Sequence, residues 1–129
     1  MDNFSFFDLR VYQESKGLVK SVYELMKKFP IEEKFALCDQ LRRSVTSIPS
    51  NIVEGSGRIS PKEKLRFIEI AYGSLMEVLC QLDIAYDLDY ITKEEFNKEK
   101  DIINIIGKQL SGMRIFFNRQ LEKSLTINR

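Results

Sequence analysis

Arg58, Lys62, Lys64, Arg66, Arg119, Lys123 and Arg129 are the side chains whose type and spacing could do chemistry, and that chemistry is contact with phosphates. Cations that neutralise phosphates release condensed counterions, so binding of this kind weakens steeply as salt rises. The formal net charge is only +1, which alone gives no reason to expect nucleic acid. Its distribution says more: residues 41–66 hold six basic and two acidic groups, residues 67–101 three and nine, and residues 102–129 five and one. A second reading stays open, in which basic groups near the carboxyl ends of helices answer the helix dipole without any ligand.

Other candidate chemistries fail on residue type or spacing. Histidine is absent, which removes the commonest general base, metal ligand and pH switch together. A di-iron bundle would need two Glu-x-x-His motifs. The GSGR segment at Gly55 lacks the lysine and the spacing of a phosphate loop. Glu69 and Glu77 could pair as carboxylates, but eight residues of helix separate them by about 12 Å, beyond the spacing that glycoside hydrolysis uses. Cys38 and Cys80 lack Cys-x-x-Cys spacing and read as reduced, buried thiols. The expectation is a protein that is not an enzyme and takes no metal and no cofactor.

The elements that must position the basic residues are helices. A chain of 129 residues is about one domain and long enough for a single core. No apolar run reaches the roughly 20 residues of a membrane span, and the opening MDNFSFFDLR lacks the layout of a signal peptide. The expected compartment is therefore the cytoplasm, without membrane contact. Periodicity and punctuation predict an all-α, antiparallel, up-down-up-down four-helix bundle in one domain, with helices over about 8–29, 31–56, 61–89 and 93–123. Phe29 and Pro30 separate the first two helices. Pro49 is expected to kink the second, and Gly55 and Gly57 to end it as left-handed caps. Ser60, Pro61 and Glu63 start the third helix, and Thr92 with Glu95 starts the fourth.

Leu41, Val45, Ile48 and Ile52 form a heptad seam, as do Leu65, Ile68, Tyr72, Leu75, Leu79, Leu82 and Tyr86. An antiparallel register about a turn near residue 60 brings Leu41 level with Leu79, Val45 with Leu75, Ile48 with Tyr72, and Ile52 with Ile68. The polar positions fall on the same levels: Arg43 with Glu77, Ser47 with Gly73, Asn51 with Glu69, Glu54 with Arg66. At 100° per residue this stripe lies about 120° from the apolar seam, so its partner is expected in another subunit. Apolar residues all round the third helix, including Ile70, Met76, Cys80 and Ile84, also ask for burial on several sides. The expected interface is Arg43, Ser47, Asn51 and Glu54 with Glu69, Gly73 and Glu77. Surface ion pairs on a monomer are the alternative.

Four blocks, FDLRVYQ from Phe7, LVKSVYEL from Leu18, QLRRSVTSIPSNIVEGSGR from Gln40 and EIAYGSLMEVLCQL from Glu69, resemble the four-helix bundle proteins encoded in intervening sequences of bacterial 23S ribosomal RNA genes. The resemblance covers nearly the whole chain. It implies a homopentameric ring and a kinship with the accessory protein of diversity-generating retroelements, which binds nucleic acid and a reverse transcriptase. It supplies no catalytic residue. Function then divides between a module that binds rRNA or another structured RNA or DNA, and an oligomeric scaffold for a protein partner with no nucleic-acid contact.

Overall fold

The computed structural model describes residues 4–127 and contains α1 (Arg10–Met26), α2 (Leu37–Ser56), α3 (Pro61–Asp87) and α4 (Lys93–Ile127), with 3-10 turns at Ser5–Asp8 and Ile31–Glu33. No strand occurs among the described residues. Each helix packs on two neighbours, α1 on α2 and α4, and α3 on α2 and α4, which makes a four-helix bundle of square cross-section. Ser47 meets Ser74 across α2 and α3, Phe96 stacks on Tyr86 across α3 and α4, and Ser21 meets Glu99 across α1 and α4. With the short α2–α3 and α3–α4 connections and a second α1–α4 pair, Lys28 with Glu95, all three contacts are antiparallel.

The second helix starts later than its periodicity predicts. Pro30 is extended, Ile31–Glu33 forms only a 3-10 turn, and Ala36 breaks the chain before α2 begins at Leu37. Ile31 and Phe35, inside the expected span, are 81% and 83% exposed. From Leu37 the helix runs unbroken through Pro49. Its end also differs from expectation: no described glycine has positive φ, and Gly57 is right-handed at φ −85°. Gly55 serves close approach instead, since a Cβ there would sit 3.2 Å from Phe67 Cβ and 3.5 Å from the Lys64 carbonyl. The left-handed residue is Asp89, at φ 62°. It lets Tyr90 N–H bond the Ala85 carbonyl and Asp89 N–H the Tyr86 carbonyl, satisfying the end of α3.

The other termini follow their signals. Ser60 accepts from Glu63 N–H with Pro61 in the first turn. Thr92 and Glu95 cap each other reciprocally.

Leu41, Val45, Ile48 and Ile52 are buried, as are Ile103, Ile106 and Leu110 of α4. On α3 the buried line is Ile68, Ala71, Leu75, Val78, Leu82 and Ala85, while Tyr72, Leu79 and Tyr86 are only partly buried. The core face is thus rotated from the predicted seam toward the small residues. Ser74 meets Ser47 of α2, and the larger Tyr72, Leu79 and Tyr86 flank the groove toward α4.

Candidate nucleic-acid interface

The close crossing at Gly55 and the serine cap at Ser60 fix the turn between α2 and α3, and four of the basic candidates surround it. Arg58 stacks over the Phe67 ring at 4.9 Å and pairs with Glu54 at 3.4 Å. Arg66 lies over the same ring at 5.9 Å. Lys64 Nζ donates to the carbonyls of Gly55 and Ser56, each at 3.4 Å, so it completes the end of α2. For Lys64 the helix-dipole reading applies. Lys62 and Arg66 are exposed, and Ile59 at the tip is 97% exposed.

Arg119 and Lys123 lie on α4. Gly107 packs by Leu75 and Tyr72, and Arg114 sits over Tyr72 at 4.6 Å. Carried on along the antiparallel pair, that register brings Arg119 near the level of Lys62 and Lys123 near that of Arg58. The six residues therefore share one end of the bundle without touching as one cluster. Arg119 and Lys123 border their own shallow depression, with Glu122 and Thr126. Arg129 lies outside the described residues. Asp87, Asp89, Glu94 and Glu95 surround the α3–α4 turn at the other end.

The polar stripe is largely satisfied within the chain. Ser47 and Ser74 hydroxyls are 2.9 Å apart, and Asn51 Nδ2 donates to Ser47 O and Oγ at 2.8 and 2.9 Å. One turn further on, Ser44 donates to Gln81 at 2.6 Å. Arg43 pairs with Asp39 at 3.0 Å and Glu54 with Arg58. Glu69, Gly73 and Glu77 are exposed, as are Ile70, Met76 and Ile84 beside them. A Cβ on Gly73 would meet nothing within 4 Å. Cys80 is exposed rather than buried, and Cys38 is buried; both are free thiols. Burial pushes the Cys38 thiol above its ordinary range.

Sequence reasoning missed two features. The first is an apolar groove of about 800 Å³ between α1 and α2, where Phe6 and Phe7 of the first 3-10 turn meet Tyr12, Tyr23, Pro49 and Val53. A second groove of about 430 Å³, walled by Tyr72, Met76, Leu79 and Ile115, runs between α3 and α4. The second missed feature is Glu99, buried on the seam between α1 and α4 and accepting from the Ser21 hydroxyl. Its signal was present, because Glu99 precedes Ile103 and Ile106 on the same heptad line. Nearby, hydrogen bonds from Lys28 and then from the Thr92 backbone hold the Glu95 carboxyl below its ordinary value.

No group of three or more metal-ligating side chains occurs among the described residues, and no described helix is long and apolar enough to cross a membrane. A family model described as 23S rRNA-intervening sequence protein matches residues 7–112. Among solved structures, a protein of unknown function from the S23 ribosomal protein family of Bacteroides thetaiotaomicron VPI-5482, at 1.70 Å resolution, is similar with a TM-score of 0.74. It is 27% identical, and the match covers 81% of this chain and 97% of that one. Comparison with curated proteins gives no match.

Proposed function

Since the chain belongs to the 23S rRNA-intervening sequence protein family, we propose that it is a cytoplasmic, non-enzymatic homo-oligomer whose basic end contacts the phosphates of rRNA or another structured RNA or DNA. The observation that carries this reading is the gathering of Arg58, Lys62 and Arg66 around one turn, with Arg119 and Lys123 level with them on α4. Contacts of this kind position a phosphate backbone and carry little sequence information. Assembly is read as a pentamer from the family resemblance. It is supported by two apolar grooves on opposite sides of the square, α1–α2 and α3–α4, which suit head-to-tail contacts that close into a ring. A ring would repeat the basic end once per subunit.

A mobility shift with RNA and with duplex DNA at about 50 mM salt tests the nucleic-acid contact, and stepwise salt addition should release the complex. Replacing Lys62, Arg66 and Arg119 with glutamine should lower the salt slope while leaving assembly intact. Lys64 is unsuited to that test because it caps α2. Light scattering against the 15.1 kDa chain mass tests assembly independently. Failure to shift either nucleic acid at low salt transfers the reading to a scaffold for a protein partner. The exposed apolar face of Ile70, Met76 and Ile84 favours that second reading.

A further inference from the structure

The groove between α1 and α4 lies apart from the basic end and from the polar ladder of α2 and α3. It encloses about 410 Å³, with Gly17, Lys20 and Ser21 on one wall and Lys98 and Glu99 on the other. Gly17 and Ser21 stand one turn apart, and a Cβ on Gly17 would meet nothing within 4 Å, so the α1 wall recedes one turn beyond the Ser21–Glu99 contact.

Glu99 is 2% exposed. The Ser21 hydroxyl donates to its Oε1, and its Oε2 is buried with no partner. A buried polar atom left this way is costly, so the site calls for a group that can meet it.

The surrounding charges define that group. Glu24 at the rim is paired with Lys27, and Glu95 with Lys28. Lys20 and Lys98 are exposed and have no acidic partner among the described residues. The groove therefore offers two unspent ammonium groups above one buried carboxyl oxygen lacking a hydrogen bond, which a ligand meets as the Glu99 side chain turns toward it. A fully deprotonated anion satisfies the lysines but opposes an ionised Glu99. An oxyanion that carries one proton satisfies all three. Its bare oxygens accept from Lys20 and Lys98, and its O–H donates to Glu99 Oε2. Burial raises the Glu99 carboxyl above its ordinary value, against the Ser21 hydrogen bond and the Lys98 charge, which strengthens its hold on that proton.

We propose that this groove binds monohydrogen phosphate or a phosphomonoester, with Lys20 and Lys98 on the anionic oxygens and Glu99 sharing the proton. The groove falls in the volume range of small-molecule sites, so an organic group could lie beside the phosphate along Gly17 and Leu25.

Inorganic phosphate, sulfate and phenyl phosphate are titrated into the full chain by calorimetry at about pH 6, where a phosphomonoester keeps its proton on about half of its molecules, with ionic strength held constant by sodium chloride. Sulfate has the shape of phosphate but carries no proton at that pH. Phosphate should bind saturably and sulfate about tenfold more weakly, the worth of one hydrogen bond to a charged group. Lys20→Gln and Lys98→Gln should each weaken phosphate several-fold. Glu99→Gln, whose amide can donate as well as accept, should bring the two anions close to equal affinity. Tighter binding of phenyl phosphate than of inorganic phosphate assigns the site to phosphomonoesters, and the reverse assigns it to the free anion. Absence of saturable phosphate binding, equal affinity for phosphate and sulfate in the unmodified protein, or indifference to both lysine substitutions overturns the proposal. The phosphate and sulfate comparison needs no variant, so it stands even if Glu99→Gln fails to fold.

Discussion

Removing one hydroxyl of the Ser47–Ser74 pair should cost more on α2 than on α3, and removing both should cost less than the two losses together. The asymmetry follows from the partners. Ser47→Ala strips the Ser74 hydroxyl, on a residue only 7% exposed, of its hydrogen bond. An unsatisfied buried group costs about 1–3 kcal/mol. Asn51 loses little, because its bond to the Ser47 carbonyl at 2.8 Å remains. Ser74→Ala leaves Ser47 Oγ still accepting from Asn51 at 2.9 Å, so the loss is one ordinary hydrogen bond, about 0.5–1.5 kcal/mol. The double variant leaves neither hydroxyl stranded and should resemble Ser74→Ala, so the coupling equals the Ser47→Ala loss, about 1–3 kcal/mol. Alanine's better helix propensity enters singles and double alike and cancels in the cycle. Urea unfolding should show shifted midpoints at constant slope. Singles that add to within about 0.3 kcal/mol would refute the reasoning, because the two hydroxyls would then not depend on each other.

Gly55→Ala should destabilise by about 1 kcal/mol despite the helix propensity it gains, since the new methyl sits 3.2 Å from the Phe67 Cβ and must push α2 and α3 apart. Gly73→Ala, with open space at its Cβ, should stabilise the isolated fold by up to about 1 kcal/mol; weakened assembly of that variant in light scattering would place Gly73 in a subunit contact. The Glu99 carboxyl is raised by burial, so its contribution to stability is full below its ordinary value of 4.5 and is lost as pH rises through its folded value. Melting temperature against pH should therefore carry a downward component above that point which Glu99→Gln removes. Glu95 has the opposite sign: its carboxyl is held down by Lys28, so its contribution is lost as pH falls, and Lys28→Gln should flatten the acid limb.

Helix identity was legible wherever a local rule acted alone. Ser60 with Pro61 and Thr92 with Glu95 start their helices as written, and the seam of α2 buries the residues its spacing names. Reading failed where size or tertiary neighbours decide. Periodicity weighted Tyr72 and Tyr86 by their hydrophobicity, but both are only partly buried while the small Ala71, Ser74 and Ala85 are buried, which turns the core face of α3. Gly55 carries the same lesson, because a glycine needed for contact and one needed for a left-handed turn look identical in sequence. The basic end was legible as a level but not as a set of contacts: the stacking of Arg58 on Phe67 and the capping by Lys64 depend on side-chain reach across the turn. Ser47 was placed level with Gly73, and its partner proved to be the neighbouring Ser74.

The seam between α1 and α4 bears on the order in which the bundle closes. Its Ser21–Glu99 contact joins residues 78 apart in the chain, whereas α2 and α3 are joined by a turn of a few residues and meet at once through Gly55 and Phe67. Loop-closure entropy therefore sets the α2–α3 hairpin early and the α1–α4 contact last. That late seam also contains a buried carboxyl with an unsatisfied oxygen. Backbone amides of α1 should accordingly exchange with solvent before those of α2 and α3, and α1 is the helix expected to swing away first when the native state opens.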